Sequence, residues 1–179
     1  SDTWDIEFMS DNFGRIELVG ISDRTDYDLS AHMKLSGQSM EVNYEGRKFV
    51  PHVIEIAYGI DRPFYCVIES CIVKDRDRTY FRFPSIVAPY RYAVFPLVRK
   101  DGLDKKAREV FKFLIEKGIY CIYDQSGSIG RRYARADEIG IPGCITIDYD
   151  TMKDDTVTIR NRDTRKQKRI RISEIDRAL

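Results

Sequence analysis

Apolar and polar positions along the chain fall into two stretches with different rhythms. In the first, Gly14-Arg-Ile-Glu-Leu-Val-Gly20 is a short β-rich run between glycines and predicts a strand. Glu17 lies between Ile16 and Leu18, so strict alternation points its carboxylate away from the face those two bury. A turn or short helix follows from Asp23 through Leu29 to His32, and the polar, glycine-punctuated segment Leu35–Lys48 predicts a small hairpin or insertion. The β-branched run from Phe49 to Tyr58 is extended. After Gly59, Phe64, Val67, Ile68 and Cys71 recur about one helical turn apart. The implied order is strand, glycine, helix, with Pro63 in the first turn where its missing donor matters least. Asp61 is placed to cap that helix and Arg62 to project at the junction.

The second stretch is more regular. Charge in Lys74-Asp-Arg-Asp-Arg78, then Pro84 and Pro89, predicts a linker. Beyond it the pattern predicts a strand over Tyr90–Val98, a helix over Leu103–Lys117 ended by Gly118, and a strand over Ile119–Tyr123. A glycine-rich turn then leads to a helix ended by Gly140 and a strand over Cys144–Asp148. Leu103, Ala107, Val110, Phe111 and Leu114 recur at steps of three and four, which buries one face of the first helix. Two further strands, Thr156–Arg160 and Lys168–Ile172, and a short last helix capped by Ser173 complete a domain of ordinary size. The alternation is that of an α/β sheet with parallel crossovers. The expected division is residues 1–87 and 88–179.

Composition sharpens this division. The 179 residues, 42% hydrophobic, can bury a real core. No apolar stretch approaches a membrane span and no basic-then-apolar leader opens the sequence, so a cytoplasmic, non-membrane protein is expected. Net charge is +1 overall. Residues 1–87 carry ten Lys and Arg against fifteen Asp and Glu, a net of −5, and residues 88–179 carry twenty against fourteen, a net of +6. A basic half joined to an acidic half fits a polyanion-facing unit beside carboxylate chemistry. Cys66, Cys71, Cys121 and Cys144 form no Cys-x-x-Cys pair, and with His32 and His52 they suggest buried thiols in preference to zinc ligands.

Glu17, Glu55 and Arg62 have the residue types for a nucleotide and amino-group site: carboxylates hold Mg²⁺ and ammonium, and a guanidinium holds phosphate or stacks on a purine. Spacing alone fits solvated strand carboxylates and a surface ion pair as readily. On the helix after Gly127, Ile129, Tyr133 and Ala136 share one face while Arg131 and Arg135 fall on the opposite one. Those arginines face ligand, or else solvent with Glu138 as ion partner. Gly127-Ser-Ile-Gly130 lacks the Gly-Lys-Ser/Thr ending of a phosphate-cradling P-loop. Arg162, between the last two strands, and Tyr149, at a strand end, add a guanidinium and a ring suited to unpaired bases.

Longer motifs carry a resemblance. Val53-Ile-Glu-Ile-Ala-Tyr-Gly-Ile-Asp-Arg62 resembles the third signature motif of class II aminoacyl-tRNA synthetases, and Glu17-Leu-Val-Gly-Ile-Ser-Asp-Arg-Thr-Asp-Tyr-Asp-Leu29 resembles the preceding strand in glycyl-tRNA synthetases of archaeal and eukaryotic type. Ser126–Gly140, with Thr146-Ile-Asp-Tyr149 and Thr158-Ile-Arg-Asn-Arg-Asp163, is similar to the anticodon-binding domain of that family. The resemblance implies an α/β fold, α+β overall: the end of an antiparallel catalytic sheet, then a mixed-sheet anticodon-binding domain. It implies that Glu17 and Leu18 contact ATP, Glu17 its Mg²⁺, that Arg62 clamps the adenylate, and that Glu55 and Ala57 meet the glycine substrate. It assigns Arg131, Arg135, Thr146, Tyr149, Arg160 and Arg162 to the anticodon of tRNA(Gly), and a homodimer to the full-length protein. The family usually has Glu-Pro-Ser where this chain has Glu55-Ile56-Ala57; a hydrogen bond to a charged group is worth about 1.5–3 kcal/mol. The first two class II motifs are not visible, so the 179 residues are not expected to make adenylate alone. The alternative implied is a non-catalytic, synthetase-like accessory protein that binds tRNA or other nucleic acid.

Overall fold

A computed structural model describes residues 2–75 and 78–177, with the side chains of 176 and 177 left aside. Two compact units emerge, Ser1–Ser70 and Cys71–Leu179. The break falls earlier than the charge and proline signals near Val87 and Ala88 indicate.

In the first unit β1 (Thr3–Ser10), β2 (Gly14–Thr25) and β5 (Val53–Tyr58) form an antiparallel sheet in the order β1-β2-β5. The short helix expected after Asp23 is α1 (Tyr27–Ser36), ended by Gly37 in the left-handed region, and the expected hairpin is β3 (Val42–Tyr44) with β4 (Arg47–Phe49). Helix α2 (Asp61–Cys71) follows β5 after a two-residue step. Cross-strand pairs give the sheet two unlike faces. Trp4 and Ile21, Ile6 and Val19, and Ile56 and Ile21 pair on one side; Thr3, Asp5, Gly20, Ser22, Glu55 and Ala57 occupy the other.

The second unit opens on a hairpin, β6 (Ile72–Asp75) with β7 (Arg78–Phe81), where charge alone suggested a linker. The signal missed was the alternation Thr79, Tyr80, Phe81, Arg82, Phe83: Tyr80 and Phe83 are buried, and Phe81 stacks on Phe83 at 4.9 Å. Five strands then form one mixed sheet in the order β12-β11-β10-β8-β9, comprising β8 (Tyr92–Pro96), β9 (Cys121–Tyr123), β10 (Gly143–Ile147), β11 (Thr156–Asn161) and β12 (Gln167–Arg171). β8 is parallel to β9 and β10, and β11 and β12 run antiparallel.

Helix α3 (Leu103–Glu116) covers one face and α4 (Ile129–Glu138) the other. Alternation along β8 serves both: Tyr92 and Val94 join the core under α3 with Leu103, Ala107, Val110, Leu114 and Ile145, while Ala93 and Phe95 join Ala136, Ile141 and Cys144 under α4. Ser128 caps α4, its Oγ accepting from the Arg131 amide at 3.4 Å. A four-residue turn, α5 (Thr151–Asp154), follows β10 and is held by a reciprocal pair in which Asp148 N donates to Thr151 Oγ1 and Thr151 N to Asp148 Oδ1. The last helix is the 3₁₀ segment Ile172–Arg177.

Burial separates the four thiols. It pushes Cys144 up to about 12 and Cys121 up to about 11, and raises Cys66 as well, whereas Cys71 is half-buried. A disulfide-exchange reagent at neutral pH is expected to titrate Cys71 rapidly and the other three only after denaturant is added; four equally fast thiols would contradict this packing.

Candidate nucleotide and nucleic-acid sites

In the first unit a bulge re-aims the key carboxylate. The β1–β2 register steps from Ile6–Val19 to Glu7–Glu17, leaving Leu18 unpaired, so Glu17 falls on the same face as Asp5 and Gly20. Its Oε1 lies 3.4 Å from where a Cβ on Gly20 would stand. Alternation counted back from Gly20 would have put it on the other side, whereas relative to Ile16 it lies where alternation places it. Glu17 and Arg62 line one cavity of about 580 Å³ with Phe13, Arg15, Ile16, Asp61 and Tyr65, and Arg62 Nη1 donates to the Glu17 carbonyl at 2.9 Å. Leu18, half-buried, is the bulge residue.

Glu55 is on the same sheet face, opposite Ser22, but outside that cavity; Arg24 Nε stands 3.4 Å from its carboxylate. Ala57 pairs with Gly20, so the strip between Glu17 and Glu55 carries no bulky side chain. The wall of the cavity is braced by Glu69, whose Oε1 accepts from Ser10 Oγ at 3.0 Å and Tyr65 OH at 2.9 Å. Burial works to raise the Glu69 pKa, but the hydrogen bonds from Ser10, Tyr65 and Asn12 together hold it below the usual range.

In the second unit the sheet separates residues that sequence alone grouped. Arg131, in the first turn of α4, is exposed, its Cδ lying over Gly127. Tyr149, just past β10, is 45% exposed and its hydroxyl donates to Asp101 Oδ2 at 2.7 Å. These two share the edge at the carboxyl ends of the parallel strands. Arg135 is also there but already paired, with Asp124 at 2.5 Å, not with Glu138.

Arg160 and Arg162 depart from the expected base-facing role. β11 runs antiparallel to β10, with Asn161 opposite Gly143, so the exit of β11 lies at the other edge. Arg162 is 3% exposed, donates to the Gly140 carbonyl at 2.8 Å and grips Asp163. Arg160 is buried, bidentate to Asp137 at 2.9 and 3.0 Å. Thr146 is buried too, its hydroxyl 2.7 Å from Tyr133 OH. These three hold the scaffold, and the single surface of Arg131, Tyr149 and Arg162 is not formed.

The family described as anticodon binding domain matches residues 92–179, the sheet and helices just described. The chain is 38% identical over 251 residues to a glycine–tRNA ligase of Methanococcus vannielii, covering 95% of this chain and 44% of that protein. It is 35% identical to the glycine–tRNA ligase of Thermococcus kodakarensis over 99% of this chain and 45% of that protein. The figures for Pyrococcus furiosus are 35%, 100% and 45%. The chain is a homologue of the archaeal glycine–tRNA ligases. It spans less than half the length of these relatives. Each alignment is longer than the 179-residue chain, so the relatives also carry residues within the matched region that this homologue does not.

Set against that family, the anticodon-binding domain contains functional-looking residues that sequence reasoning passed over. Arg132, next to Arg131, is buried beneath the strand ends. Arg108 lies over the Tyr123 ring at 4.5 Å, and Arg99 Nε donates to the Gln125 carbonyl at 2.6 Å. A helix period starting at Ile129 puts Arg132 beside Tyr133 and Ala136, so the apolar stripe itself carried the signal that this arginine faces inward. Among the described residues no helix is long and apolar enough to cross a membrane.

Proposed function

We propose that the protein takes part in ATP-dependent ligation of glycine to tRNA(Gly), the first unit supplying part of the adenylate pocket and the second gripping the anticodon. The observation that carries the RNA half is the shared edge of Arg131 and Tyr149 in an anticodon-binding domain: an exposed guanidinium and an exposed ring at the carboxyl ends of parallel strands, where open α/β sheets take ligands. Unpaired bases are recognised by stacking and edge hydrogen bonds, which this pair offers.

For the nucleotide half, the donor set fits. Arg62 and Arg15 bring positive charge to the cavity that Glu17 and Asp61 line, and Mg²⁺ is typically held by one or two carboxylates together with substrate phosphates. Bound there, Mg²⁺ would neutralise phosphate charge. Glu17 would hold it, Arg62 would fix the phosphate or purine, and Glu55 would orient the amino group across the open strip left by Gly20 and Ala57. Catalysis of this kind rests on positioning and charge, with no covalent nucleophile. Ala57, which offers no hydroxyl at this strip, favours the second reading, a synthetase-like protein that binds tRNA without activating glycine.

Stacking is worth roughly 1–3 kcal/mol per base, so Tyr149→Ala is expected to weaken binding of tRNA(Gly) by about 5- to 150-fold in a filter-binding assay. Arg131→Ala is expected to lower affinity for a glycine-anticodon tRNA more than for an anticodon-swapped one. Unchanged affinity in both variants would remove this edge from the interface.

A further inference from the structure

One buried positive charge in the C-terminal unit has no carboxylate within ion-pair distance among the described residues. Arg132 is 3% exposed, and no ion pair joins it to a carboxylate among the described residues, whereas the equally buried Arg162 is paired with Asp163 and Arg160 with Asp137. Its guanidinium is spent on backbone: Nη1 donates to the Pro96 carbonyl at 2.5 Å, Nη2 to Leu97 at 3.3 Å and Nε to Ser128 at 3.4 Å. Those carbonyls take one N–H from each guanidinium nitrogen without cancelling a full charge. Buried charges in folded proteins are ordinarily paired, so the arrangement asks for an anion.

Its surroundings add to the field. Burial lowers its pKa; Asp124 is the next influence and raises it, and the charges of Arg135 and Arg99 lower it further. Arg131 stands on the same first turn of α4, over Gly127. Arg99, Arg132 and Arg135 gather here, with Asp124 and Glu138 as the neighbouring carboxylates and Arg135 paired with Asp124. The ten-residue helix α4 also presents its positive end here. Between α4 and β9 runs a cleft of about 420 Å³ floored by Phe95 and Ile122 and walled by Tyr123, Asp124, Arg132, Arg135 and Glu138. The chain leaves β8 outward to β9 and returns across it to β10, so this cluster sits at the switch point of the sheet.

We propose that this cluster is an anion site for one phosphodiester of the RNA backbone, with Arg99 as the solvent-facing contact and Arg132 as the fixed charge beneath it. The site rests on the tRNA-binding reading above, but it differs from the stacking edge at Tyr149: it fixes the strand and reads no base. The shared chemistry with free phosphate is the oxyanion, and the test separates the two.

Binding of the full 179-residue chain to a glycine-anticodon tRNA and to an anticodon-swapped tRNA is measured across a range of salt, with wild type, Arg132→Met and Arg99→Gln. Both variants are expected to weaken the two RNAs by the same factor, about tenfold, and to lower the slope of log K against log salt by about one. Arg99 is exposed, so Arg99→Gln keeps the test decisive if Arg132→Met fails to fold. Unchanged slope and affinity in a folded Arg99→Gln protein would overturn the site and leave Arg132 as a cap on strand-end carbonyls. NMR of the arginine Nε–H groups with millimolar inorganic phosphate is the second arm. Shifts at Arg99 and Arg132 that tRNA displaces support the assignment; shifts with phosphate that tRNA leaves untouched would contradict it in favour of a free-anion site. Equal wild-type affinity for the two tRNAs would sink the anticodon reading while leaving the phosphate contact, which acts on both, intact.

Discussion

Replacing Asp137 with alanine is expected to lower the unfolding free energy of the C-terminal unit by about 3–5 kcal/mol, because it strands buried positive charge. The Asp137 side chain is 4% exposed and carries two arginines: Arg160 bidentate, and Arg78 through Nη1 at 2.5 Å. Arg160 also lies over the Tyr133 ring at 4.9 Å and Arg78 over Tyr80 at 4.0 Å, so neither guanidinium is free to swing into water. Asp137→Asn keeps hydrogen-bonding capacity without the charge and is expected to fall between wild type and alanine. Urea unfolding followed by circular dichroism measures both. A loss below about 1 kcal/mol for Asp137→Ala would mean that the trio behaves like a surface ion pair.

The second large effect is expected at Gly140. Its φ is +81°, and a Cβ there would stand 2.2 Å from Phe83 Cδ2, 2.8 Å from Phe83 Cε2 and 3.0 Å from Phe81 Cβ. Left-handed backbone costs an L-residue roughly 1–2 kcal/mol and overpacking about 1–3 kcal/mol more, so Gly140→Ala is expected to destabilise by about 2–5 kcal/mol. Gly118 supplies the control. It has φ +74° with nothing within 4 Å of its Cβ position, so Gly118→Ala is expected to show the backbone part alone. Equal losses at the two positions would mean that the Phe81–Phe83 stack is not seated on Gly140.

These two sites also explain why the chain divides where it does. Lys74-Asp-Arg-Asp-Arg78 reads as a solvated charge run because one-dimensional charge does not reveal partners. Arg78 finds Asp137, fifty-nine residues on, and the aromatic side chains after it close over Gly140. The strands and helices from Tyr92 onward were legible because local alternation and the Ser128, Gly118 and Gly140 boundaries agree with the tertiary packing. Segment α5 was not, since four residues carry too little pattern.

Site residues divide in the same way. Glu17 and Arg62 were legible as a pair, and alternation with Ile16 gave the face of Glu17; the bulge at Leu18, which brings that face into line with Gly20, depends on pairing with β1, which spacing cannot show. Arg162 and Tyr149 both looked like loop residues near strand ends. Strand direction decides between them, and an antiparallel β11 sends Arg162 to the far edge and into the core. Arg132 was hidden by its neighbours: amid Arg131 and Arg135 it reads as one more surface cation, whereas the helix turns it under the sheet edge.

On the function proposed above, the second unit distinguishes glycine anticodons. Equilibrium binding of the 179-residue chain to tRNA(Gly) and to the same tRNA with its anticodon replaced tests it most directly. With stacking contributions of roughly 1–3 kcal/mol per base, the replaced anticodon is expected to bind about tenfold more weakly or worse. Equal dissociation constants at matched salt would contradict it.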